Sequence, residues 1–204
     1  SAYGFTYLYA PALTADVVRA AIREWPGEPG EGWPSWAFSN HDAPRHVTRW
    51  GKAVDRDQLA RLTMLLLVAL RGNIFLYQGE ELGLPQAHVP FDRLMDPEAI
   101  ANWPQTLGRD GARTPMPWTA QAPHGGFSSG EPWLPMDTAH LPLSVAEQEA
   151  DAESMLQWTR ALLSARRASP ALRDGAITII DSPPDLLAFE RTSGKETLLC
   201  VFNL

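Results

Sequence analysis

Apolar runs and helical stripes alternate along the first half of the chain. Residues 3–9, "YGFTYLY", predict a strand. "ALTADVVRAAIREW" follows, with Thr14 as N-cap and Val17, Val18, Ala21 and Ile22 at helical spacing. A Gly/Pro/Glu loop, "PGEPGEGWP", leads to the strand "SWAFS", which ends in the polar triplet Asn40-His41-Asp42. "RDQLARLTMLLLVALRG" predicts a helix from about Asp57, closed by Gly72. Its second half is apolar on every side, as in a helix packed between a sheet and other elements. "NIFLYQ" is then an unbroken apolar strand running into "GEELG". Such strands, separated by helices, predict an α/β fold with a parallel sheet buried on both faces.

The second half reads differently. Residues 85–148 are rich in Pro, Gly and Trp, with little periodicity beyond a short segment near 97–102. A loop this long inside a domain predicts a small subdomain over a site. "ADAESMLQWTRALLSARRASP" predicts an amphipathic helix ended by Ser169-Pro170. "AITIID", "LLAFERTSG" and "ETLLCVFNL" predict three antiparallel strands, with turns at Pro183-Pro184 and Ser193-Gly194. The first and last residues both fall in strand-like segments, so both ends read as cuts and the chain as a fragment.

Composition narrows the picture. At 204 residues, 45% hydrophobic and 20% charged, the chain has enough apolar content for a core. A net charge of −7 excludes a nucleic-acid binder of the usual basic kind, and the longest apolar run, "MLLLVAL", is too short to span a bilayer. No basic signal-peptide start is visible. The single Cys200 excludes an internal disulfide framework and leans towards a cytoplasmic setting, with a periplasmic one left open. The five histidines show no zinc spacing, so no metal site and no cofactor is read from the residues. Of the eight tryptophans, Trp25, Trp33, Trp103, Trp118 and Trp133 lie beside Pro or Gly, and core packing is their default reading.

In parallel α/β folds chemistry gathers at the C-terminal strand ends, where "SNHD" and "QGEE" both fall. Asp42, Glu80 and Glu81 are carboxylates of the kind glycoside hydrolysis needs, one acid and one nucleophile or base. They are equally suited to be caps and structural ion pairs at strand ends. Spacing alone does not decide.

Three motifs taken together do more. "FSNHDAPR", "NIFLYQGEELGLP" and "NWPQTLGRDGARTPMPW" resemble, in order, the α-amylase superfamily (glycoside hydrolase family 13), and within it the α-glucosidase and oligo-1,6-glucosidase branch. The resemblance implies the C-terminal part of a (β/α)8 TIM barrel, strands six to eight, over residues 1–172. Residues 85–148 would form a subdomain over the active site, and 173–204 the beginning of an antiparallel β-sandwich. It implies a retaining exo-acting enzyme that releases terminal α-linked glucose from malto- or isomalto-oligosaccharides. Asp42 matches the family's transition-state-stabilising aspartate. The nucleophile, the acid/base and any structural calcium would lie upstream of this chain. His41 matches the histidine that binds the same glucose, and Arg109 the arginine that closes the pocket over it. Arg45 is read as either a loop-ordering residue or a contact to the second sugar. Glu80 and Glu81 become strand-end scaffold, Arg113 and Trp118 supports of the "RTPMPW" loop, and Phe127 and Trp133 packing residues.

The same framework serves glucosyl-transferring isomerases and trehalose synthases, which differ in whether water or sugar accepts the glucosyl group. A third reading is a truncated, inactive structural piece. The implied partners are an oligosaccharide and either the missing N-terminal part of the barrel or a second copy of the chain, which would cover the exposed sheet edges.

Overall fold

The computed structural model describes residues 2–25, 32–51, 55–106 and 108–204, which form two units. The first unit comprises residues 1–37, 61–75 and 160–204; the second comprises 38–60 and 76–159.

The first unit holds two three-stranded sheets. β1 (Ala2–Gly4), β2 (Pro34–Trp36) and β3 (Asn73–Ile74) form a parallel sheet in that order. Helix α1 (Ala15–Arg23) connects β1 to β2. Thr14 caps α1 through its hydroxyl, which accepts from the Val17 amide at 3.3 Å. Asp16 in the first turn and Arg23 in the last complement the helix dipole. Helices α2 (His46–Trp50) and α3 (Arg56–Ala69) separate β2 from β3. Leu66, Leu67, Val68 and Leu70 are all buried, as the all-round apolar sequence there predicts.

The strands are shorter than the apolar runs. Leu8 N–H donates to Phe5 O at 3.0 Å, so "FTYLY" turns after β1, and Phe5 and Tyr9 are exposed. Beyond the paired residues a further bond runs from Phe75 N–H to Trp36 O at 2.8 Å. Trp36 anchors the sheet: its indole N–H donates to Arg71 O at 2.7 Å, and Tyr7 packs edge-on at 5.5 Å. Gly72 is required at this approach. Its φ is +135°, and a Cβ there would sit 2.7 Å from Pro34 O.

Helix α4 (Pro97–Ala101) and α5 (Val145–Glu149) belong to the second unit, and α6 (Met155–Ala168) follows. Pro170 does end α6, but it also opens α7 (Pro170–Asp174), with Ser169 as N-cap. β4 (Ala176–Ile180), β5 (Leu186–Ser193) and β6 (Glu196–Asn203) then form the antiparallel sheet, as the sequence predicts. Arg191 of β5 is fully buried and donates to Ala69 O at 2.5 Å and to Leu172 O and Gly175 O at 3.0 Å. Burial lowers its pKa to about 10. Arg166 likewise donates to Leu70 O and Gly72 O, so two arginines satisfy carbonyls around the end of α3.

In the second unit residues of the 85–148 segment contribute to two small cores. Val89, Leu94, Ala99 and Leu134 make one small core. Leu82, Leu84 and Leu156 make another, with Met116, Leu143 and Val145 against it. Gln148 stitches the latter together: its amide donates to Leu82 O and Leu143 O, and its carbonyl accepts from Leu156 N–H.

Candidate functional site

The polar triplet builds its own turn. Asn40 Oδ1 accepts from the backbone amides of Asp42 and Ala43, both at 2.9 Å, and this closes the chain directly after the buried segment 37–39. His41 and Asp42 are thereby turned out towards solvent, with the Asp42 side chain 50% exposed.

Around Asp42 the structure gathers cations. Arg113 Nη2 donates to Asp42 Oδ1 at 2.9 Å, and Arg113 Nε donates to His41 O at 2.7 Å. Arg109 Nη1 lies 3.8 Å from the same Oδ1. His41 Nε2 is 3.2 Å from the other carboxylate oxygen. One carboxylate thus faces two guanidinium groups and an imidazole while keeping an open side.

Arg109 is aimed from behind. Asp96, the N-cap of α4, accepts from Arg109 Nη2 at 2.6 Å, from its Nε at 3.1 Å and from its backbone amide at 2.8 Å. The Arg109 hydrogen bonds hold the Asp96 carboxyl down at about 2. The same pairing raises the Arg109 pKa. Asp110, next in sequence to Arg109, does something else: it is buried and accepts from the amides of Met95 and Asp96 at 2.7 and 2.8 Å. The chain therefore runs from Asp110 through the 95–96 turn and Asp96 to Arg109 and Asp42.

Arg45, read from the sequence as either a loop-ordering residue or a second-sugar contact, is buried beside the 77–79 loop. The residue is 2% exposed, and its guanidinium donates to Gln78 O at 2.6 Å and lies over the Tyr77 ring at 5.3 Å. Burial lowers its pKa. It orders the 77–79 loop, where Gly79 has φ +87° and leaves room for the guanidinium. Glu80 is scaffold, buried with Oε1 3.1 Å from His46 Nδ1 and Oε2 accepting from Tyr77 N–H at 2.9 Å. Glu81 accepts from Gly79 N–H, and burial raises its pKa.

Of the residues anticipated from sequence, His41, Asp42 and Arg109 meet. Arg113 belongs with them, beyond the loop-supporting role foreseen for it. Asp96 was missed; "DPEAIA" signals a helix cap, but nothing local reveals the partner 13 residues on. The packing expected of several aromatic residues also fails: Trp103, Trp118, Phe127 and Trp133 are exposed, Trp133 at 60%. Among the described residues no group of three or more His, Cys, Asp or Glu side chains is placed to hold a metal ion, and no helix is long and apolar enough to cross a membrane.

Comparison with known proteins gives the family. Residues 7–175 match the family described as "Alpha amylase, catalytic domain". A probable alpha-glucosidase of Rhizobium meliloti (strain 1021) is 45% identical over 99% of the chain and 37% of the relative's length. An oligo-1,6-glucosidase of Halalkalibacterium halodurans is 32% identical over 91% of the chain and 36% of its own length. Among solved structures, the alpha-glucosyl transfer enzyme XgtA superposes with a TM-score of 0.91 at 46% identity, over 98% of this chain and 37% of that one. The chain thus spans a little over a third of the proteins it resembles.

Proposed function

Because the chain belongs to the alpha-amylase catalytic-domain family, we propose that it is the C-terminal part of a retaining, exo-acting α-glucosidase. The parent protein releases terminal α-linked glucose from malto- or isomalto-oligosaccharides. The observation that carries this reading is the Asp42 carboxylate, clamped on one side by Arg113 and Arg109 and open on the other. A carboxylate so held accepts hydrogen bonds from neighbouring sugar hydroxyls. It also opposes the positive charge that develops at the anomeric carbon as the glycosidic bond breaks. His41, on the open side, adds a hydroxyl partner whose bond strengthens as the ring flattens. Arg109, held in one direction by Asp96, closes the pocket behind the terminal sugar. A pocket closed at one end accepts chain ends only, which is the physical meaning of exo action.

In this reading β1, β2 and β3 are barrel strands six to eight, residues 85–148 the subdomain over the site, and 173–204 the start of the β-sandwich. The nucleophile and acid/base come from the upstream part of the polypeptide, which also covers the free edges of the parallel sheet.

The test is Asp42→Asn in the whole protein, with glucose release from maltose and isomaltose as the readout. Loss of the charge lowers turnover by roughly 10²–10³-fold or more, and proton NMR of the wild-type product shows the α-anomer first. Unchanged turnover by the Asn variant would remove Asp42 from the chemistry. A second reading, transfer of the glucosyl unit to a sugar acceptor, is favoured by the likeness to the alpha-glucosyl transfer enzyme. Product analysis at high acceptor concentration separates the two.

A further inference from the structure

Both ends of the segment Asp42 to Arg45 bear on the same two residues, Ala112 and Arg113. Asp42 takes a hydrogen bond from the Arg113 guanidinium at 2.9 Å. Arg45, buried three residues on, donates from Nη2 to the carbonyl of Ala112 at 3.4 Å. Tyr77 supplies that carbonyl with a closer donor, its hydroxyl lying 2.9 Å from Ala112 O. The Arg45 guanidinium also lies over the Tyr77 ring, 5.3 Å from its centroid, so each donor helps to hold the other. No step of the reaction above uses Tyr77.

We propose that Tyr77 is a positioning residue for Arg113, fixing through Ala112 O where that guanidinium meets Asp42 and His41. The inference rests on the glucosidase reading of the Asp42 site and adds a residue to it. The connection is short, because the carbonyl that Tyr77 holds belongs to the peptide bond leading into Arg113. A shift at Ala112 O therefore passes directly into the Arg113 backbone. The turn before it is already closed: Ala112 N–H donates to Arg109 O at 3.0 Å, and Ala87 N–H to Gly111 O at 3.0 Å. Gly111 fits only as glycine, since a Cβ there would sit 2.5 Å from Ala87 O. Those bonds hold the turn as far as Gly111, and Tyr77 with Arg45 holds the next carbonyl. Arg113 needs such fixing because its guanidinium serves two acceptors at once, Asp42 Oδ1 at 2.9 Å and His41 O at 2.7 Å. A planar fork bonded to two residues loses one bond on a small rotation. Burial raises the Tyr77 pKa; Arg45 and Arg113 pull it down and Asp42 pushes it up, so the phenol lies within the field of the charges it positions. It stays protonated, and hence a donor, at neutral pH.

The experiment uses the whole protein and Tyr77→Phe, which keeps the ring under Arg45 and removes the hydroxyl. Arg113→Gln and the double variant complete a cycle. Tyr77→Phe should lower kcat for maltose about 3–10-fold, with KM moving less than about 2-fold. In the double variant the Tyr77 substitution should add nothing to the loss from Arg113→Gln, because the group it positions is gone. An unchanged kcat in Tyr77→Phe overturns the proposal, and so does an effect that multiplies with that of Arg113→Gln. A second readout needs no turnover: the Arg113 Nε–H resonance in a proton–nitrogen NMR spectrum, assigned by its disappearance in Arg113→Gln. Its exchange with water should quicken about 3-fold or more in Tyr77→Phe. Unaltered exchange overturns the proposal even where the melting temperature falls, since a merely structural Tyr77 would leave Arg113 as it was. The glucosidase reading is separable. If the wild type releases no glucose but the exchange quickens, that reading falls and the positioning of Arg113 by Tyr77 stands.

Discussion

Replacing Asp96 by Asn keeps the shape of the α4 cap and removes the charge that aims Arg109. The Asp96 side chain has no exposed surface and takes three hydrogen bonds from Arg109, which hold its carboxyl at about 2 against an ordinary 3.8. That gap of about 1.8 pH units corresponds to roughly 2.4 kcal/mol at about 1.36 kcal/mol per unit. The Arg109 side chain is 35% exposed, so water screens the pair and about 1–2 kcal/mol is the working figure. The carboxyl is depressed in the folded state. Its contribution is therefore fully present above the unfolded value near 4, and is lost as pH falls from about 4 towards 2. Urea midpoints of wild type and Asp96→Asn should differ by that 1–2 kcal/mol at pH 7 and at pH 5. The difference should shrink clearly by pH 3. A gap that is absent at pH 7, or that persists undiminished at pH 3, would refute the assignment of Asp96 as the ionic anchor of Arg109.

Other expectations follow from single contacts. Arg113→Gln removes the 2.9 Å bond to Asp42 and the tie to His41 O; under the proposed glucosidase function it should lower the whole protein's kcat/KM for maltose roughly 10–100-fold, with the larger part in kcat. Gly72→Ala forces a left-handed φ and a 2.7 Å approach to Pro34 O; a loss of about 3 kcal/mol or more is expected in thermal unfolding. Thr14→Ala deletes the cap of α1 and should cost about 1 kcal/mol by the same assay, with no effect on saccharide binding.

Much of the local structure was legible because its causes are local. A cap hydroxyl bonds an amide three residues away, so Thr14 announces α1 within one turn of chain. Alternation with a turn at Gly194, where φ is +60°, announces the β5–β6 hairpin. The apolar run 66–70 announces a helix buried all round. The "NHD" turn is of the same kind, since Asn40 bonds amides two and three residues on.

What escaped has distant causes. An apolar run does not state where its ladder partner ends, so "YGFTYLY" looked like one strand although its backbone turns after residue 4. Exposure of Trp103 or Trp133 depends on what lies against them, and a hydrophobic residue type carries no record of that. Arg45 and Arg113 are alike in sequence terms, each an arginine near a motif. The fold buries one under Tyr77 and lays the other across a carboxylate 71 residues away. By itself the sequence determined α1 with its Thr14 cap, the apolar helix α3, the amphipathic helix α6, the antiparallel strands β4 to β6 and the motifs that carry the family likeness. Only the tertiary structure decided which arginine serves Asp42 and which acid aims Arg109. Hydrogen bonds within a turn are written in neighbouring residues, whereas ion pairs across the chain exist only once packing brings their partners within 4 Å.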